Sequence, residues 1–150
     1  MTVATMARLA ELKNIVGVKD ATSDLARPIN TRNAIGKDFV QLSGEDGTAL
    51  PFLAGGGHGC ISVTSNIAPR LCATMQKAWR DGDLNKAQEI QYKLMPLHLA
   101  LFGETSPGPV KYAAKLMGKC EPDTRLPLTE IAEASKARLR EAMVQVGLVN

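Results

Sequence analysis

The stretch Asn14-Ile15-Val16-Gly17-Val18-Lys19 decides how the rest of the chain is read. Ile15 to Val18 is short, continuous and apolar, with β-branched side chains, the composition of a strand buried on both faces of a parallel sheet. Lys19 stands at its C-terminal end. Working outward, Thr2 to Leu12 has Met6, Leu9 and Ala10 at helical spacing, with Lys13-Asn14 marking the end. After the strand, Ser23 or Asp24 can cap a weakly periodic helical segment that runs past Pro28 to Gly36.

The pattern then repeats. Phe39 to Ser43 reads as a second strand, followed by the turn-prone Gly44-Glu45-Asp46-Gly47 and an apolar stretch, Ala49 to Ala54, that must be buried. The run Gly55-Gly56-Gly57-His58-Gly59 leads into a third strand, Cys60 to Thr64. Asn66 then caps a helix with Leu71, Cys72, Met75, Ala78 and Trp79 on one stripe, ended by Gly82. Beyond it everything is helical. One helix follows the cap Asp83 and meets a kink at Pro96, a second carries Val110, Ala113, Ala114 and Met117 and stops at Gly118, and a third follows Thr129 and stops at Gly147.

Strand and helix in alternation imply parallel pairing through right-handed crossovers, so the class is α/β. A closed eight-stranded α/β barrel needs about 250 residues, and 150 cannot supply one. Three parallel strands leave two open sheet edges, which favours a homo-oligomer.

Composition removes several function classes. Charged residues make up 22% and hydrophobic ones 45%, a globular balance without the bias of a disordered or coiled-coil chain. The 18 basic residues against 15 acidic ones leave a charge of only +3, scattered along the chain, and aromatic residues are 4% of the total. Nucleic acid is therefore not an expected partner. No run is long and apolar enough for a membrane span, and the start carries Arg8, Glu11 and Lys13 where a signal peptide would be apolar. Cys60, Cys72 and Cys120 are odd in number and have no metal-ligand spacing, so they read as reduced thiols of a cytoplasmic protein, with no metal site. His58 and His98 alone give little material for a His-based triad and read as structural.

Lys19 is the leading candidate for chemistry. A lysine at the C-terminal end of a parallel strand, walled by Val16, Val18 and neighbouring strands, is partly desolvated, and the free amine so favoured is the nucleophile that forms imines with carbonyl substrates. The same position also suits a lysine that snorkels to solvent. The glycine run from Gly55 precedes a strand, whereas a phosphate cradle follows one, so its reading is a tight turn. Gly44 can allow a ligand close to the backbone.

Asn14 to Thr22, Leu42-Ser43-Gly44-Glu45-Asp46, Gly55 through Asn66, and Leu94-Met95-Pro96-Leu97-His98 together resemble the C-terminal half of the dihydrodipicolinate synthases. The resemblance covers essentially the whole chain. It implies the last part of a class I aldolase-like (β/α)₈ barrel: residues 1–82 as the end of unit five plus units six to eight, and residues 83–150 as a C-terminal helical extension. It also implies that Lys19 forms the Schiff base with pyruvate, which then attacks aspartate semialdehyde in lysine biosynthesis, with no cofactor beyond that covalent imine. Ile61, Gly44 and Ser43 would line the pyruvate pocket. Ser23 stands where many members have glycine. The family's proton-relay tyrosine, its arginine for the second substrate and its pyruvate-orienting threonines match no residue of this chain, so low or no turnover alone is expected. The alternative is a non-catalytic half-barrel that acts as an assembly module.

Overall fold

In the computed structural model, which describes residues 1–150, three parallel strands and seven helices follow one another in the expected alternation. The chain forms two units, Met1–Ser62 and Val63–Asn150, and each has its own core.

The first unit opens with α1 (Val3–Ala10), whose N-cap Thr2 accepts a hydrogen bond from the Thr5 amide and whose Met6 is buried. Strand β1 spans Gly17–Asp20, two residues later than the expected Ile15–Val18. The shift has a local cause. The Ile15 amide donates back to Leu12 O at 2.9 Å, holding that residue in the turn off α1, and the ladder begins only where the Val40 amide reaches Val16 O. The sheet order is β1-β2-β3, with β2 at Val40–Ser43 and β3 reduced to Gly59–Cys60. The expected third strand, Cys60 to Thr64, is therefore too long. Its pairing stops where β2 ends at Ser43, because the chain turns there, and Thr64–Asn66 forms a 3₁₀ turn in the second unit.

Register divides the sheet into two faces. Gly17 pairs with Val40, Lys19 with Leu42, and Leu42 with Gly59, so these residues share one face and Val18, Asp20, Gln41, Ser43 and Cys60 share the other. The second face carries α2 (Arg27–Ile35): the Gln41 side-chain amide donates to Pro28 O at 3.0 Å, and Asp20 pairs with Arg27 at 3.0 Å. Helix α2 starts three residues after Asp24 because the preceding segment is a chain of side-chain turns. The Thr22 amide and hydroxyl both donate to Asp20, and the Ala26 amide donates to Asp24. Within it Ser23 sits at φ +60°, in the left-handed region.

The apolar stretch Ala49–Ala54 is a short helix, α3, with Ala49, Phe52 and Leu53 buried as expected. The glycine run after it makes the expected tight turn: Gly56 has φ +98°, and a Cβ on Gly57 would stand 2.3 Å from Phe52 Cδ1. His58 is structural. Its Nδ1 accepts the Gln41 amide while its own amide donates to Gln41 O, extending the β2 to β3 ladder through a side chain.

The second unit is helical. Helix α4 (Pro69–Arg80) packs on α5 (Leu84–Leu101), and α5 packs on α7 (Glu133–Val146), with α6 (Gly108–Leu116) against α7. Two caps differ from expectation: Asn66 donates its side-chain amide to Val63 O and does not cap α4, and α7 starts after Ala132, whose amide is held by Glu104, not after Thr129. Asp83 does cap α5, and Gly82, Gly118 and Gly147 sit at positive φ beyond their helices. Helix α5 runs on through Pro96. His98 is buried in it, its Nδ1 2.7 Å from the Thr64 hydroxyl. By packing, α4 belongs with the helical unit that begins at Val63. No helix is long and apolar enough to cross a membrane.

Candidate functional site

The C-terminal ends of the three strands lie level, because the Gly44 amide donates to Asp20 O at 2.7 Å and the Ile61 amide to Ser43 O at 2.8 Å. Lys19, Gly44 and Ile61 are brought together there. Lys19 rises from the face without α2, and its side chain crosses the backbone of Gly44, where a Cβ would stand 2.8 Å from Lys19 Cε and 2.7 Å from Ala21 Cβ. Only glycine leaves this path open. Ile61 follows β3 directly and is 47% exposed.

Ser43 lies on the opposite sheet face from Lys19, 1% exposed, and its hydroxyl accepts the Glu45 amide and donates to Glu45 O. Its side chain therefore shapes the turn after β2. The next acid, Asp46, is buried and accepts a hydrogen bond from the Ser62 hydroxyl. Glu45 is half-buried and makes no side-chain hydrogen bond or ion pair. Partial burial raises its carboxyl above the ordinary value of 4.5, the neighbouring Asp46 charge raises it further, and the Lys19 ammonium acts in the opposite sense.

The expected desolvation of Lys19 is not found. The lysine is exposed, and the groove at the base of its face, about 390 Å³ and lined by Ile15, Val16, Val18, Val40 and Leu42 among others, is open. The physical reason is that no further strand flanks β1: its alternate backbone groups face away from β2, and Val16 is 68% exposed. A larger concavity, about 470 Å³, lies in the second unit between α6 and the segment 121–131. It holds none of the expected site residues. Two of its acids are paired: Glu130 binds Lys136, whose ammonium it and Glu133 hold strongly protonated, and Glu121 lies 3.9 Å from Lys115.

Parallel β/α units with α2 on one sheet face, and Lys19 on the bare face at the strand ends, have the layout of units from a (β/α) barrel. The particular family follows from comparison. The chain belongs to the dihydrodipicolinate synthetase family, whose model matches residues 1–146. It is 63% identical over 149 residues to the 4-hydroxy-tetrahydrodipicolinate synthase of Rhodospirillum centenum, covering 99% of this chain and 51% of that protein. The enzyme of the same name from Acidiphilium cryptum is 62% identical, with the same coverage. Among solved structures, dihydrodipicolinate synthase from Aquifex aeolicus superposes with a TM-score of 0.94 at 40% identity, over 98% of this chain and 50% of that one. The enzyme from Thermotoga maritima gives 0.92 at 40% identity, over 98% and 51%. The chain thus spans about half the length of the curated relatives it matches, and its fold is the C-terminal part of a (β/α)₈ barrel followed by a helical extension.

Proposed function

We propose that this chain supplies the imine-forming half of a synthase that condenses pyruvate with aspartate semialdehyde, a class I aldolase-type lyase of lysine biosynthesis. The observation that carries the reading is the passage of Lys19 over Gly44 at the level strand ends. There the Lys19 amine attacks the keto carbon of pyruvate, water leaves, and the resulting iminium acidifies the adjacent methyl group so that it can add to the aldehyde. Gly44 and Ile61 would contact the bound pyruvate, and Ser43 would hold the turn that frames it. The chemistry is covalent and asks for no metal or cofactor. Residues 1–82 are the barrel share in this reading, and the open sheet edges suit a homo-oligomer in the cytoplasm.

Imine formation needs a nucleophile and a place for pyruvate, whereas condensation also needs proton relay and aldehyde orientation, each worth orders of magnitude in rate. The chain alone is therefore expected to trap pyruvate with trace or no turnover. The exposure of Lys19 and Val16 favours a second reading, a non-catalytic half-barrel that serves in assembly. Intact-mass analysis after incubation with pyruvate and borohydride separates the two. An adduct that disappears in Lys19→Ala supports the first, and no adduct from folded protein supports the second.

A further inference from the structure

Two side chains meet over Gly44 at the strand ends. The point where its Cβ would stand lies 2.8 Å from Lys19 Cε and 2.7 Å from Ala21 Cβ, so the end of the lysine stem and the Ala21 methyl flank the same gap. Ala21 directly follows the last residue of β1 and is exposed, which puts its methyl on the solvent side of the lysine. The residues on either side of it are tied down. Asp20 O accepts the Gly44 amide at 2.7 Å, while the Asp20 carboxylate takes the Thr22 amide at 2.9 Å and hydroxyl at 2.7 Å and pairs with Arg27 at 3.0 Å. A methyl joined directly to a backbone held in this way cannot yield, whereas the lysine stem can rotate about its side-chain bonds. The third wall of the gap, Gly44, admits no larger residue without displacing the lysine, so Ala21 is the position at which the size of the gap can vary.

We infer that Ala21 sets the size limit on the keto acid that Lys19 accepts: its single methyl leaves room for a small substituent on the ketone carbon and obstructs a branched one. The inference rests on the reading of Lys19 as the imine-forming residue and adds a selectivity to it. When the amine adds to the ketone and one water leaves, the former ketone carbon is bonded to Lys19 Nζ, one atom beyond Cε. The C=N bond keeps that carbon and its two substituents in one plane with the nitrogen. The substituents therefore stand beside the gap that Ala21 flanks, and a fixed wall there discriminates by volume. Each further carbon pressed against such a wall costs about tenfold or more in rate.

The test uses the 150-residue chain with borohydride and pyruvate, α-ketobutyrate or α-ketoisovalerate, and intact mass reads the Lys19-dependent adduct as the excess over Lys19→Ala. The quantity compared is the initial trapping rate of each longer keto acid divided by that of pyruvate, a ratio that cancels any general loss of reactivity. In variants shown by circular dichroism to be folded, Ala21→Val should lower the α-ketoisovalerate ratio about tenfold. Ala21→Gly, which removes the methyl, should raise it by a comparable factor, with α-ketobutyrate moving less in both. Ratios equal to those of the unaltered chain in both variants, or moved in the opposite sense, overturn the inference while the Lys19 reading stands. Absence of a Lys19-dependent adduct with all three keto acids overturns the Lys19 reading, and the size limit falls with it.

Discussion

Lys19 and Gly44 occupy one another's space: the lysine Cε lies 2.8 Å from the point where a Cβ of residue 44 would stand. The lysine reaches the strand-end surface because its neighbour on β2 has no side chain.

Gly44→Ala therefore has a defined expected outcome. The Lys19 clash is relieved by swinging that side chain aside, whereas the 2.7 Å approach to Ala21 Cβ, which is fixed to the backbone, also forces the strand-end backbone to shift. Displacement of the nucleophile by about an ångström costs on the order of a hundredfold in reaction rate. Pyruvate trapping should fall by that factor while circular dichroism shows the fold retained; unchanged trapping would mean that the lysine path does not depend on Gly44.

The glycine turn into β3 tests packing instead of chemistry. At Gly57 a methyl would stand 2.3 Å from one Phe52 ring carbon and 2.9 Å from Phe52 O, and Phe52 is a buried core residue that cannot swing away freely. Gly57→Ala should destabilise the chain by about 1–3 kcal/mol in urea denaturation. Gly36→Ala, where nothing lies within 4 Å, provides the control for strain without crowding, since φ there is +115°.

Ser23 offers the opposite sign. It is the one non-glycine residue at positive φ, +60°, in the turn that joins Asp20 to Asp24. Glycine removes a left-handed cost of about 1–2 kcal/mol and adds unfolded-state freedom of about 0.4–1 kcal/mol. Ser23→Gly should thus stabilise by roughly 0.5 kcal/mol, read as a higher urea midpoint at unchanged slope.

Glu45 predicts a pH dependence. Its folded-state pKa is raised, so the folded protein binds this proton more tightly than the unfolded chain. The stabilisation it gives is fully present below the ordinary value of 4.5 and is lost as pH rises through the raised value. The stability difference between Glu45→Gln and wild type should consequently move in favour of the variant from pH 4 to pH 7. A difference that stays flat, or moves the other way, would show that the carboxyl is not desolvated.

Much of this was legible in the residues, for a physical reason. The alternation of short β-branched runs with helical periods, the terminating glycines and the cap Asp83 act over a few residues, and local conformational preference needs no distant partner. Gly82, Gly118 and Gly147 end their helices where expected because positive φ is a property of single residues. Strand limits were less legible. β1 begins at Gly17 and β3 stops at Cys60 because a strand exists only where a partner offers hydrogen bonds, and those partners lie about twenty residues away along the chain.

The site divides the same way. By itself the sequence determined that a lysine stands at the end of a parallel strand and that a glycine follows the next one, since both facts depend on order and pattern alone. Only the tertiary structure decided that these two residues touch, that Ser43 turns its hydroxyl to the far face to clamp Glu45, and that Asp20 and Asp46 are spoken for by Arg27 and Ser62. It also decided that Lys19 is exposed where burial was expected, because desolvation is set by how many strands close around a side chain, and three strands cover only one face of it.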